Sequence, residues 1–391
     1  MKKKITPNII KKERLNIIAI FLLILLYSYL ILTNIKVNSF FYVDNKIRET
    51  ILIGMFICGL IYIAKKILNY RYLKNELFIF IYTVYITILL LIGPADFNEN
   101  IFLILYLPMM YYVGRFVYEK IYNKNINFDI LAYIVQIIFI VTYIFCRIIQ
   151  AKASLTNTIY YQLCMMPLLL RSDSKFIRNS SFIMTTAFVF FSGKRIAFIS
   201  WIICSLYLLI ENMPKLKKNK QNKILYIGIG IILIVFATNY YISRNFGVSI
   251  IERMLMLNDD GGSGRDEIAK VIFQELKKNS AEQHIFGHFM QSTALIPGIV
   301  GSHNDFLEVY YRSGIIGIIL VAIIFIQIIK NIKIIKRINY KLYCSFICEL
   351  LILFTLMMFS QSVFIAAYNC IFAFEYAYCV EIARKEKKLV E

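Results

Sequence analysis

HNDFLEVYYRSGIIGIILVAIIFIQII, residues 303–329, is the stretch on which the fold turns. Its first ten residues hold a histidine, two carboxylates and an arginine, whereas 313–329 holds no charged residue. A helix needs roughly 17–25 predominantly apolar residues to cross a bilayer core, so the chain passes here from water into membrane. Working outward, residues 244–312 form the one long polar interruption of the chain, and apolar runs follow one another almost everywhere else. Twelve runs read as spans: 15–33, 51–64, 77–93, 101–113, 129–146, 158–170, 181–191, 196–210, 224–243, 313–329, 342–358 and 363–380. The expectation is an all-α integral membrane protein of about 12 transmembrane helices. It is a single polytopic domain over 1–391, with one large external loop, 244–312, carrying short helices between spans 9 and 10. The runs at 158–170 and 181–191 are the weakest; a re-entrant or tilted pair there leaves the orientation downstream unchanged.

Composition agrees. The chain is 59% hydrophobic and 17% charged, which excludes an ordinary soluble domain. A net charge of +20 invites a nucleic-acid reading, but the distribution of the charge argues against it. Thirty of the 44 Lys and Arg fall on the side shared by both termini, against seven in the short loops of the other side. Positive residues collect in short cytoplasmic loops, so both termini are expected in the cytoplasm and 244–312 outside it. The basic excess is then a topology signal, and no nucleic-acid partner is expected. The segment MKKKITPNIIKKER precedes the first apolar run without a small-residue cleavage site, the pattern of an uncleaved span. All eight cysteines lie in apolar segments, so neither a disulfide framework nor a CxxC metal site is expected.

A loop of 69 residues, where its neighbours have 4–17, suggests function. Within it, Ser263 is placed to cap a helix, with Asp266 three residues on as in a capping box. Ile268, Val271, Ile272 and Leu276 follow at helical spacing, with Lys277 and Lys278 in the last turn. Residues 281–302, with three glycines and a proline, read as irregular structure on the membrane rim. From His303 the pattern is helical into the next span.

Three constellations carry candidate chemistry. DDGGSGRDEI, 259–268, is a glycine-rich turn feeding a helix N-terminus, whose unpaired N–H groups favour anions. There Ser263, Gly264 and the forked guanidinium of Arg265 suit a phosphate or diphosphate; a capped surface helix with Arg265 paired to Asp259 or Asp260 explains the residues equally. FFSGKRIAF, 190–198, sets Lys194 and Arg195 in a tight turn on the side opposite the termini. That position suits a lipid diphosphate at headgroup depth, or simple snorkelling. His303 begins the third; an imidazole titrating near 6.5 is the usual base for a hydroxyl at neutral pH. Asn304, Asp305, Glu308 and Arg312 stand beside it as substrate-binding candidates. His284 and His288, at i and i+4, have no third ligand nearby, and no metal is assigned. Glu349 and Glu375 lie inside apolar runs, where a carboxylate is either functional or structurally bonded.

With these residues in hand, the chain resembles the O-antigen ligase and polymerase superfamily of bacterial surface-polysaccharide assembly. That family has many spans, cytoplasmic termini and a large external loop late in the chain. It carries the motif His-[Asn/Ser/Gln]-x9-Gly-x-x-[Gly/Thr/Tyr], matched by His303, Asn304, Gly314 and Gly317. A Ser-x-[Ser/Lys]-Arg-like element is matched by Ser192-Gly193-Lys194-Arg195, and a Ser-Gly-Arg element by Ser263-Gly264-Arg265. The resemblance implies a Wzy-type polysaccharide polymerase of the bacterial cytoplasmic membrane, a metal- and cofactor-independent glycosyltransferase. It would move an undecaprenyl-diphosphate-linked glycan donor onto an acceptor hydroxyl. Arg195 and Arg265 would hold the diphosphate and His303 would act as base, with membrane lipids and a chain-length regulator as further candidate partners. An O-antigen ligase using lipid A-core as acceptor is the nearest alternative. A transporter or flippase, from another class, predicts charged residues within spans, repeated halves and broken helices; the runs hold two carboxylates, Glu349 and Glu375, no basic residue and no repeat, and a non-catalytic scaffold leaves the motif spacing to coincidence.

Overall fold

The computed structural model describes residues 7–37, 45–68, 76–96, 101–121, 128–150, 157–212, 240, 244, 250–256, 261–360 and 367–390. Among them all regular structure is helical. The chain runs through α1 (Pro7–Val37), α2 (Asn45–Ile67) and α3 (Leu77–Ile92), then a π-helical turn at Leu105–Met109 leading into α4 (Met110–Ile121). Next come α5 (Asp129–Gln150), α6 (Thr158–Leu170), α7 (Lys175–Ser192) and α8 (Arg195–Asn212). The polar segment contributes α9 (Ile250–Leu255), α10 (Gly261–Leu276) and α11 (Ala281–Phe286). The chain closes with α12 (Asp305–Ile338), α13 (Tyr340–Phe359) and α14 (Asn369–Val390).

Four segments are long and apolar enough to cross a membrane: Leu15–Ile35, Asn45–Ile67, Asp305–Ile338 and Tyr340–Phe359. Leu77–Ile92, Asp129–Phe145 and Thr158–Leu170 are shorter apolar helices. This is coarser than the expected twelve, and α6 illustrates why. Every one of its residues from Thr158 to Leu169 is buried among other helices, so neither its length nor its composition is set by contact with lipid. The run at 224–243 lies outside the described residues except for position 240, and the run at 363–380 becomes helical at Asn369.

Two ends of the bundle can be told apart by chemistry. Glu76, just before α3, accepts from Arg115 Nε at 2.7 Å, and Glu381 of α14 accepts from Arg115 Nη1 at 2.8 Å. Beside them Lys66 pairs with Glu119, and Arg384 with Glu381. Close approach of α4 to α14 makes this junction possible: a Cβ on Gly114 would lie 2.8 Å from the Ala377 side chain. Small residues are what let membrane helices meet this closely. The opposite end of α3, sixteen residues away, meets the polar segment where Gly93 abuts Phe289.

The polar segment folds as its periodicity predicts. Ile272 and Leu276 of α10 form a small core with Ile296, Ile299 and Tyr311, and Ile268 and Val271 pack against it. Residues 281–302 are more ordered than expected, with α11 opened by a reciprocal Ser280–Gln283 capping box and a 3-10 turn at Thr293–Leu295.

Candidate functional site

The His303-to-Gly317 spacing has a local physical cause at each position. His303 takes φ 49°, a left-handed conformation rare for a residue with a side chain. The Asn304 side chain then accepts from the Phe306 and Leu307 N–H groups, capping α12, and its Nδ2 donates to the Met358 carbonyl of α13 at 3.1 Å. After nine intervening residues Gly314, at φ 63° and ψ −163°, breaks the helix. The break turns the carbonyls of residues 311–313 away from the ladder, and each finds another donor. His288 N–H bonds to Tyr311 at 2.7 Å, Met290 N–H to Arg312 at 2.8 Å, and the Tyr85 hydroxyl to Ser313 at 2.6 Å. A Cβ on Gly314 would meet the Ile285 carbonyl oxygen, and one on Gly287 the Ser313 nitrogen, at clashing distances. Two glycines thus let two backbones touch, locking the polar segment to the foot of the following span.

Around His303 the chain collects cations from three other places. Ser192 and Gly193 (φ 60°) make the tight turn that ends α7; Ser192 Oγ donates to Val189 O and accepts from Lys194 N–H. Lys194 follows, and Arg195 opens α8 with its guanidinium nearly buried. Arg195 Nη1 donates to the Arg253 carbonyl at 3.2 Å, while Arg253 Nη1 donates to the Gly193 carbonyl at 2.9 Å, knitting α9 to the turn. Gly264 takes φ 76° within α10, immediately before Arg265. The Ser263 side chain, with Asp259 and Asp260, lies outside the described residues.

The electrostatics show that these residues converge. Burial, then the charges of Arg265 and Lys194, hold the His303 pKa below its ordinary value. Burial, then Arg253 and Arg265, hold the Lys194 ammonium below its own. Cations that depress a neighbour's pKa lie close to it. Tyr160, buried at the start of α6, lies in the field of Arg265 and Arg253. Lys194 and Arg265 thus act on His303, Arg253 and Arg265 act on Lys194, and Arg195 is tied to this group through the Arg253 carbonyl. An imidazole held neutral beside concentrated positive charge can accept a proton while the cations bind an anion.

Other candidates occupy different positions. Glu308 is fully buried, accepting from Arg312 Nε at 2.6 Å and from the Ser292 and Thr293 hydroxyls, and Arg312 Nη1 donates to Met290 O. The pair clamps residues 290–293 onto α12. Asp305 is buried at the start of α12, within electrostatic reach of Tyr82 and Tyr368. His284 bonds the Tyr310 hydroxyl at 2.7 Å, whereas His288 stacks on Tyr311 and bonds Asn279. Their i, i+4 spacing does not become a shared helical face, because α11 ends at Phe286. Among the described residues no three His, Cys, Asp or Glu side chains are grouped to hold a metal. Glu375 pairs with Arg171, not with a tyrosine, and Glu349 is wholly buried near Cys164. Sequence reasoning missed Arg253 and Tyr160: IIERML reads as an ordinary solvated turn, and a tyrosine in an apolar run carries no signal of its own.

No family model matches the chain, and no curated protein is significantly similar to it.

Proposed function

We propose that the protein is a membrane polysaccharide polymerase that transfers undecaprenyl-diphosphate-linked repeat units onto an acceptor sugar hydroxyl. In this reading it crosses the bacterial cytoplasmic membrane about twelve times, with both termini cytoplasmic and 244–312 extracytoplasmic. The observation that carries the proposal is that Lys194 and Arg265, both distant from His303 in the chain, act on its half-buried imidazole, beside a Ser-Gly turn tied to Arg253.

In the reaction the acceptor oxygen forms a bond to the anomeric carbon of the donor glycan. The bond from that carbon to the diphosphate oxygen breaks, and the electron pair leaves with the diphosphate. His303 takes the hydroxyl proton, a contribution of about 10²–10⁴-fold in such catalysis. Arg265, Lys194 and Arg253 face the charge growing on the leaving group. Arg195 supports them through its bond to the Arg253 backbone.

His303→Ala, Arg265→Ala and Arg195→Ala are each expected to abolish long-chain polysaccharide, leaving single repeat units on the lipid carrier, while the protein still inserts. Normal chain-length ladders in all three would sink the mechanism. For topology, Val300→Cys is the informative site because Val300 is 86% exposed. Labelling from outside intact cells is expected; labelling only after permeabilisation would reverse the orientation.

A further inference from the structure

Glu349 and Glu375 are carboxyls inside apolar helices for which the proposed reaction has no use. Glu349, on α13, is 1% exposed, and its Oε2 has no hydrogen-bond partner among the described residues. Cys164 of α6, Cys348 beside it and Glu375 of α14 act on this carboxyl, which in turn acts on Cys204 of α8. Among the described residues no cation is in that company. A carboxylate ion so placed costs far more than the neutral acid, which asks only for a hydrogen bond. Cys164 answers that need, its thiol and the Glu349 carboxyl sharing a hydrogen bond.

Glu375 is placed differently. Arg171 Nη1 donates to its Oε2 at 2.5 Å, while its Oε1 is buried without a partner. Asp129 of α5 adds further negative charge beside it. Two buried carboxyls therefore draw on one guanidinium, and the second is neutralised only by a proton.

Water reaches this pair from one end. Arg171 follows the last residue of α6 and lies over the Tyr378 ring of α14. Just beyond it, Asp173 pairs with Lys341 at 2.8 Å, and both side chains are exposed. Cys164 stands about 10 Å from Arg171 along α6, and Glu349 about 13 Å from the start of α13, at 1.5 Å per residue. Glu375 links the two depths, bonded to Arg171 and acting on Glu349.

We propose that Glu349 is a proton-binding site inside the bundle, loaded from the Arg171 end with Glu375 as the relay. A proton from water passes Arg171 to the unpartnered oxygen of Glu375, moves on to Glu349 and leaves by the same route. Only O–H bonds form and break. Loading leaves one carboxylate against one guanidinium where there were two. The site uses none of the residues of the polymerase reading and stands apart from it.

The test is infrared difference spectroscopy of the full chain in nanodiscs. At neutral pH, subtracting Glu349→Gln from wild type is expected to leave the carbonyl band of a protonated carboxyl. Should the amide fail to fold, Glu349→Leu gives the same subtraction. The band is expected to shift when H2O is replaced by D2O. Glu375→Asp, which keeps the charge but draws the relay back by one methylene, is expected to keep the band and slow its shift several-fold. No protonated-carboxyl band in either subtraction overturns the site. A band that stays fixed in D2O while exposed backbone amides exchange overturns its loading, and an unaltered shift in Glu375→Asp overturns the relay.

Discussion

Arg115 and the Lys194–Arg253–Arg265 group present two ways of placing guanidinium and ammonium charge in a largely apolar protein. Arg115 is 2% exposed and is met by two carboxylates, Glu76 and Glu381, on different helices. Around His303 burial comes first, and then the charges of Arg265 and Lys194 act on the imidazole, as those of Arg253 and Arg265 act on Lys194. A balanced buried network is a structural joint, because its components satisfy one another. Positive charge gathered beside a histidine at a junction of three segments is, on the function proposed above, suited to an anionic ligand. The same residue types are thus used in two different settings.

The largest expected effect that tests this contrast is on Arg115. Arg115→Ala would take the guanidinium from buried Glu76 and leave Glu381 with Arg384, a loss of about 3–5 kcal/mol for a broken buried pair. Thermal unfolding of the purified protein measures it; a change within the range of a surface pair would show that the joint is not structural. Gly314→Ala comes next. It combines the strain of a left-handed residue, about 1–3 kcal/mol, with a clash against the Ile285 backbone. Its expected signature is faster hydrogen exchange over 285–300, with α1 and α2 unaffected.

Asn304→Ala removes the α12 cap and the tie to Met358, at about 1 kcal/mol. The loss is read as reduced stability, with a fall in turnover if the cap orients His303. Wild-type stability with wild-type turnover would break the link between cap and site.

The finest test is by pH. Only neutral His303 accepts a proton, and its pKa is held below the ordinary value of about 6.5, so turnover persists to correspondingly lower pH. Lys194→Gln removes one depressing charge, the His303 pKa rises, and the acid limb of the residual kcat/KM profile moves to higher pH. An acid limb that stays in place would separate Lys194 from His303. In Lys120→Gln, which removes a second partner of Glu119 at the Arg115 end, the limb is expected to be unchanged.

Much of the candidate site was legible in the chain because local chemistry repeats itself in sequence. A tight Ser-Gly turn before Lys194-Arg195 and a left-handed glycine before Arg265 could be read from the residues alone. So could the interval from His303 to Gly314, whose length is that of the helix between cap and break. Glu308 and Arg312 stand at i and i+4, a spacing that signals a pair on one helix face; the structure turns them to each other and to Thr293. Arg253 was not legible, since its importance lies in reaching the Gly193 carbonyl sixty residues away.

The sequence by itself determined an all-helical chain with long apolar helices, the amphipathic face of α10 and the gathering of all three histidines in one segment. These follow from hydropathy, periodicity and turn chemistry, which act over a few residues at a time. Only the tertiary structure decided which cations act on His303 and which are bound into the joint around Glu76 and Glu381. Those outcomes depend on long-range packing and on charges interacting through a low-dielectric interior, and neither is recorded in the spacing of residues along the chain.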